Sequence, residues 1–312
     1  MAEGGARGVV VASDGTRLSV ERVPGAPRPG ARPVVLVHGA PESSYCWRRV
    51  VAKLHAAAPG RFVTHAVDLR GYGESELAPS GDYTLPTLVS DLAAVVRAAH
   101  DEAARVAGNQ RVHRPIVVAH DWGGAIAWTF AEQHGDLLRH LVATNGPHPA
   151  AFARELVHPR QAIRSWYIAF FQLPGLPRLF ESRGGAFGAG FLLKMITGSS
   201  PKGMLDEADL EVYRRNLMRP GRASAVLEYY RDIPRGGVAA RRREAMEAGR
   251  VEVPATLVWG DADLALARTH PDAVRRYAAR LEVRRLAGAS HWVPEERPEE
   301  IVRAILDADA SS

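Results

Sequence analysis

Between residues 33 and 146 the chain alternates short apolar runs, rich in β-branched residues, with longer stretches of helical spacing. "PVVLVHG" (33–39) reads as a strand, "ESSYCWRRVVAKLHAA" as a helix and "RFVTHAVDLRG" as a second strand. "TLPTLVSDLAAVVRAAHDEA" follows as an amphipathic helix with Val89, Leu92, Val95 and Val96 on one face. "PIVVAHD" is again a strand, "WGGAIAWTFAEQH" a helix and "LRHLVATNG" a strand. Strand–helix alternation of this kind predicts a parallel sheet with helices on both faces, and continuous apolar strands are those buried on both sides. Upstream, "VVVAS" and "RLSVERV" meet through Asp14-Gly15 as a hairpin.

The alternation stops after "NGPHP" (145–149). Residues 150–247 carry aromatics, prolines and helical periodicity but no convincing strand. It resumes with "ATLVWGDAD" (255–263), a helix near 271–280, "LEVRRLAG" (281–288) and a last helix at 297–309. The expected organisation is therefore an α/β core over 1–147 and 248–312, interrupted by a helical insertion at 148–247. There is no internal repeat and no long low-complexity linker.

Composition narrows the function. Apolar and charged fractions of 46% and 24% are those of an ordinary globular protein, and no run approaches the length of a membrane span. "MAEGGARGVVVASDG" lacks the apolar centre of an export signal, and Cys46, the only cysteine, excludes an internal disulfide. A cytoplasmic location is expected. The net charge of +5 invites the idea of an acidic partner, but the arginines are spread along the chain. The densest run, "AARRREAMEAG" (239–249), carries its own acids and reads as a solvated helix face or linker. With no recognised module or aromatic platform, nucleic-acid binding is not expected.

One residue is expensive where it stands. Asp121 ends an apolar strand and immediately precedes a helix of small residues. The carboxyl end of a parallel strand is where open α/β sheets bind ligands, and the free N–H groups of the following helix favour an anion there. Capping that helix is the competing role. The stretch Ala119-His120-Asp121-Trp122-Gly123 parallels the sharp G-x-S-x-G turn, with aspartate in the nucleophile's place. An acid and then a histidine should follow, and Asp263 in "WGDAD" and His291 in "GASHW" do so, each just past a strand.

At these residues the chain resembles the α/β-hydrolase superfamily and, within it, the epoxide hydrolases. "HGAPESSYCW" (38–47), "DLRGYGES" (68–75), "AHDWGG" (119–124), "NGPHP", "SWYIAFFQLPG" (165–175), "WGDAD" and "GASHW" carry the resemblance over nearly the whole chain. Ala119 departs from the family's usual glycine. The resemblance implies an α/β-hydrolase fold, a mostly parallel sheet flanked by helices with a helical cap between core strands. It also implies opening of a small-molecule epoxide by water to a vicinal diol, with no cofactor or metal. Monomer and homodimer both stay open.

Aspartate suits attack on saturated carbon. Serine would leave an ether that water does not readily cleave, whereas a carboxylate leaves a hydrolysable ester. His291 would activate water, with Asp263 holding its tautomer. By resemblance, the backbone N–H groups of Ala40 and Trp122 form the oxyanion hole, and a cis bond precedes Pro41. Tyr167 matches the family's first cap tyrosine. "VLEYYRDI" offers Tyr229 and Tyr230 for the second, and adjacent helical residues point about 100° apart, so one alone can face the site. The family's Tyr-before-Arg order selects Tyr230. Trp122 and His38 are candidates for the substrate wall, although His38, like His120, reads more readily as a supporting turn residue.

The nearest rival is a haloalkane or haloacid dehalogenase working through the same aspartyl ester. Haloalkane dehalogenases often carry Asn where this chain has Ala40, and the fluoroacetate enzymes place basic residues beside the nucleophile. A non-catalytic binding protein would usually have lost a triad member, and a serine esterase needs a G-x-S-x-G that is absent.

Overall fold

The computed structural model describes residues 5–24, 26, 28–233 and 249–311. Eight strands form one sheet: β1 (Ala6–Val11), β2 (Arg17–Val23), β3 (Arg32–Val37), β4 (Phe62–Val67), β5 (Ile116–His120), β6 (His140–Thr144), β7 (Ala255–Gly260) and β8 (Leu281–Leu286). Their spatial order is β1-β2-β4-β3-β5-β6-β7-β8. The first two strands form the expected hairpin, β2 runs antiparallel to β4, and every later pairing is parallel. Each residue of β3 through β7 is buried, as expected of mostly apolar strands covered on both faces.

Helices Leu85–Val106 and Trp122–Gln133 pack together against the central strands, and Arg48–Ala57 and Pro298–Ala310 form a second packed pair. Leu88, Val89, Leu92, Val95, Val96 and Ala99 make the buried stripe of the long helix at three- and four-residue spacing. Asp91 on the same helix is buried too, and it accepts two 2.6 Å hydrogen bonds from the Arg70 guanidinium.

Between β6 and β7 the described chain holds only helices: Pro149–Glu155, Pro159–Arg164, Trp166–Phe170, Leu176–Phe180, Ala186–Ser199, Glu207–Leu217 and Arg222–Asp232. The boundary expected at residue 247 and the basic run up to residue 248 lie outside the described residues. Polar contacts tie this insertion to the core. Tyr213 donates to Glu295 at 2.7 Å, Arg49 bridges to Asp209 at 3.0 Å, and the Tyr229 hydroxyl donates to the Arg70 carbonyl at 2.7 Å.

The helix expected near 271–280 is shorter, His270–Val274. Val251 takes the remainder: its N–H donates to the Tyr277 carbonyl and its carbonyl accepts from Ala279, so that stretch is drawn into a strand-like bridge.

The topology fixes where a site can form. Strands are added to one side of β3 by β4 and to the other by β5, so the winding reverses between β3 and β5. The loops leaving the carboxyl ends of these two strands flank a crevice. One carries His38-Gly39-Ala40-Pro41 and the other carries Asp121.

Candidate active site

Asp121 sits in a sharp turn with φ 49° and ψ −118°. A non-glycine residue held there costs roughly 1–3 kcal/mol, and the surroundings must enforce it. They do so by close approach. A Cβ on Gly39 would lie 2.3 Å from the Asp121 Cβ, and one on Gly123 would lie 2.4 Å from the Val37 carbonyl oxygen. Glycine at both positions lets the β3 loop and the new helix close on the carboxylate. The Ala40–Pro41 peptide is cis.

With the loops this close, the Ala40 N–H donates to Asp121 Oδ1 at 2.8 Å. Asp121 Oδ2 lies 3.5 Å from His291 Nε2, and the opposite ring nitrogen of His291 is 2.7 Å from Asp263 Oδ2. Asp263 is itself held. Oδ2 accepts from the Asn145 side chain at 2.6 Å, and Oδ1 accepts the Ala265 and Leu266 N–H groups at 2.7 and 2.9 Å.

Electrostatics follow from this alternation of charge. Burial works against ionised Asp121, yet the His291 hydrogen bond and charge, with His120 and the Ala40 amide, hold its pKa below the ordinary value. Asp263 is likewise lowered against its burial, chiefly by His291. Burial would make His291 less basic, but Asp263 and Asp121 together raise its pKa well above the usual histidine value. The His291 ring thus lies between two carboxylates that favour its protonated form.

Facing this group is a cavity of about 60 Å³. Asp121, His291 and Ala40 line one side, Tyr167 and Tyr230 line the insertion side, and Phe171, Leu192, Met195, Val226 and Trp292 complete an apolar wall. The two tyrosine rings meet edge to face, centroids 5.5 Å apart. Burial first, and then the Asp121 charge, push both phenol pKa values upward. Tyr229 points elsewhere, its hydroxyl donating to the Arg70 carbonyl, whereas Tyr230 lines the cavity.

Two expected wall residues are not on the wall. His38 is buried in its turn: one ring nitrogen pairs with the Gly39 carbonyl at 2.8 Å and Nε2 accepts the Leu69 N–H at 3.0 Å. It supports the β3 loop and does not line the cavity. The Trp122 indole, also absent from the lining, packs edge-on against Tyr229 and Tyr230 at 5.6 and 5.4 Å. Its place at the first helical position leaves its N–H without an intrahelical acceptor.

The sequence reading assigned no role to Asn145 or Glu42. Asn145 ties Asp263 to the end of β7, its Oδ1 accepting the Gly260 N–H at 2.8 Å. Glu42 Oε2 binds His120 Nδ1 at 2.7 Å and the Gly39 N–H at 3.1 Å, and His120 Nε2 donates to the His291 carbonyl at 3.0 Å. Asn145 stands in the quoted "NGPHP" and Glu42 in "HGAPESSYCW", so those motifs were the available signal.

An acid in a strained turn at the switch point, with histidine and a second acid behind it, defines an α/β-hydrolase. The family model described as "Alpha/beta hydrolase family" matches residues 34–304, and the chain belongs to that family. Within it the chain is similar to epoxide hydrolases. It is 31% identical over 283 residues to Epoxide hydrolase 3 of Xenopus tropicalis, covering 88% of this chain and 70% of that protein. It is also 31% identical to the AB hydrolase superfamily protein YfhM of Bacillus subtilis, covering 88% of each. Among solved structures, an epoxide hydrolase variant from Bacillus megaterium with its product, (R)-3-[1]naphthyloxy-propane-1,2-diol, superposes with a TM-score of 0.79 at 27% identity. That superposition covers 96% of this chain and 99% of the other. No described helix is long and apolar enough to cross a membrane.

Proposed function

We propose that the protein is an epoxide hydrolase that converts a small epoxide to a vicinal diol through an ester on Asp121, with the helices between β6 and β7 as its cap. The observation that carries this reading is the placement of Tyr167 and Tyr230 across one cavity from Asp121. A carboxylate on one side and two hydroxyl donors on the other suit in-line opening of a strained C–O bond.

In the first step Asp121 Oδ2 attacks an epoxide carbon while the bond from that carbon to the ring oxygen breaks. The tyrosine hydroxyls stabilise the departing oxygen, and one supplies the proton it takes up. Ester formation removes the Asp121 charge that raised both phenol pKa values, so proton donation becomes easier as the bond forms. Oδ1 stays on the Ala40 N–H and becomes the ester carbonyl, with the Trp122 N–H as second donor.

The same loss of charge removes one of the two influences that raised the His291 pKa. The ring gives up its extra proton, which restores the tyrosine that protonated the opened oxygen. Neutral His291 then takes a proton from water, and the hydroxide adds to the ester carbonyl carbon. Collapse breaks the acyl bond to Oδ2, His291 returns the proton to the leaving diol oxygen, and the proton left on the new Asp121 carboxyl passes to His291, restoring both groups. Asp263 orients the imidazole throughout. This chemistry needs no cofactor, and a cytoplasmic enzyme suits a chain with one buried cysteine.

The test is incubation of purified protein with a styrene-oxide-like epoxide and, separately, with chloroalkanes. Diol from the first and no halide from the second is the expected result. Halide release without diol would make the protein a dehalogenase.

A further inference from the structure

One short helix of the cap grips the loop that carries the triad acid. Arg164 on the helix Pro159–Arg164 donates through Nη1 to the carbonyls of Asp263 and of Leu266, the latter at 3.1 Å. Gln161, one turn earlier and buried, donates to the Ala265 carbonyl at 2.9 Å and accepts the Ala267 N–H at 2.7 Å. Gln161 is fixed in turn by a 2.9 Å hydrogen bond to Ser165 Oγ. Residues 263–267 therefore have three carbonyls and one N–H satisfied by two cap side chains. The Asp263 carboxylate spends Oδ1 on the N–H groups of Ala265 and Leu266 in the same loop. Tyr167 lies three residues beyond Arg164.

We propose that Arg164 and Gln161 are positioning residues that lock the Asp263 loop to the cap, holding the carboxylate on His291 so that the second half-reaction runs only when the cap is seated. Neither side chain is among the cavity-lining residues, so neither touches substrate. Their action passes through Asp263. A charged donor shared by two carbonyls is the stronger half of the grip, because hydrogen bonds from ionised groups exceed neutral ones. The inference rests on the two-step epoxide reading above.

The test separates the two half-reactions in Arg164→Met, which keeps an aliphatic stem and loses the donors. Single-turnover mixing with a styrene-oxide-like epoxide gives the rate of ester formation, and its decay gives hydrolysis. The lock predicts hydrolysis slowed about tenfold, the scale of one lost charged hydrogen bond, with ester formation changed much less. It also predicts a pH signature. Loosening Asp263 from His291 lowers the imidazole pKa, so the acid limb of hydrolysis moves to lower pH as the plateau falls. Arg164→Lys, which still reaches one carbonyl with a charge, should recover part of the rate and return the limb toward the wild-type position.

Equal losses in both half-reactions with an unmoved acid limb would mean general destabilisation, and wild-type behaviour of Arg164→Met would mean no coupling. Either result overturns the proposal. If Arg164→Met does not fold, Gln161→Glu and Arg164→Lys carry the same comparison. Wild-type protein that forms no ester would instead defeat the epoxide reading, which keeps the two failures apart.

Discussion

Asp121 Oδ1 and the Ala40 N–H lie 2.8 Å apart although 81 positions of sequence separate the two residues. The contact exists because β3 and β5 are neighbours at the point where the sheet's winding reverses. It also sorts the two carboxylate oxygens. Oδ1 is engaged by the backbone, and Oδ2 faces His291 at 3.5 Å. Oδ2 is therefore the oxygen assigned to attack.

On the proposed mechanism, Tyr167 and Tyr230 set the rate of ester formation. Loss of one donor to a developing oxyanion costs about 10²–10³ in rate, less whatever its partner covers. Tyr167→Phe and Tyr230→Phe should each slow ester formation substantially, and the double variant should nearly abolish it. Decay of preformed ester should suffer less, because it depends on His291 and the oxyanion hole. Rapid mixing under single turnover reads both phases. An unchanged rate of ester formation in the double variant would contradict the assignment.

His291→Gln should trap the intermediate. Glutamine cannot accept water's proton, whereas Asp121, bound by Ala40, can still attack. Intact-protein mass spectrometry after incubation with epoxide should show a mass increase equal to one substrate molecule. A folded variant with no adduct, beside a wild type that turns over, would contradict a two-step route.

The same substitution should change how stability depends on pH. In the wild type the lowered pKa values of Asp121 and Asp263 contribute stability above the ordinary aspartate pKa, and it is lost as pH falls through their folded values. The raised pKa of His291 contributes stability below the ordinary histidine pKa, and it is lost as pH rises through its folded value. His291→Gln leaves two buried carboxylates without a counter-charge, so burial pushes their pKa values up. The variant then loses stability as pH rises through those values. At neutral pH the loss should be about 3 kcal/mol, the low end for breaking a buried pair, because glutamine still donates a hydrogen bond. Tm measured from pH 4 to 8 should show the gap between variant and wild type widening with pH. A constant gap would place the destabilisation in packing alone.

The sequence exposed those parts of the site that lie at element ends. Asp121 and Asp263 follow apolar strands and His291 follows the more polar β8, so their places past strand ends, in the order acid then histidine, marked them. The choice of Tyr230 over Tyr229 needed only the helical rotation between neighbours and the order of family residues. Other parts depend on which strands become neighbours. Asn145 reaches Asp263 across 118 positions and His120 reaches Glu42 across 78, pairings that no local pattern encodes. The cavity wall depends on how cap helices are rolled, which is why Leu192 and Met195 were not foreseen. The rotation of the first helical turn likewise packs the Trp122 indole edge-on against Tyr229 and Tyr230. His38, at a strand end, reads from sequence more readily as a turn residue than as a wall residue. Its hydrogen bonds, to the Gly39 carbonyl in its own loop and from the Leu69 N–H after β4, hold it in support of that turn.

The central claim is that an Asp121 oxygen, and not one taken directly from water, enters the product. One turnover in ¹⁸O-water, with enzyme in excess over epoxide, tests it directly by mass analysis of the diol and of the peptide that contains Asp121. Attack through Oδ2 predicts an unlabelled diol and one ¹⁸O in the Asp121 carboxylate. Label in the diol after the first turnover, with an unlabelled Asp121, would mean that water attacks the epoxide itself and would contradict the account.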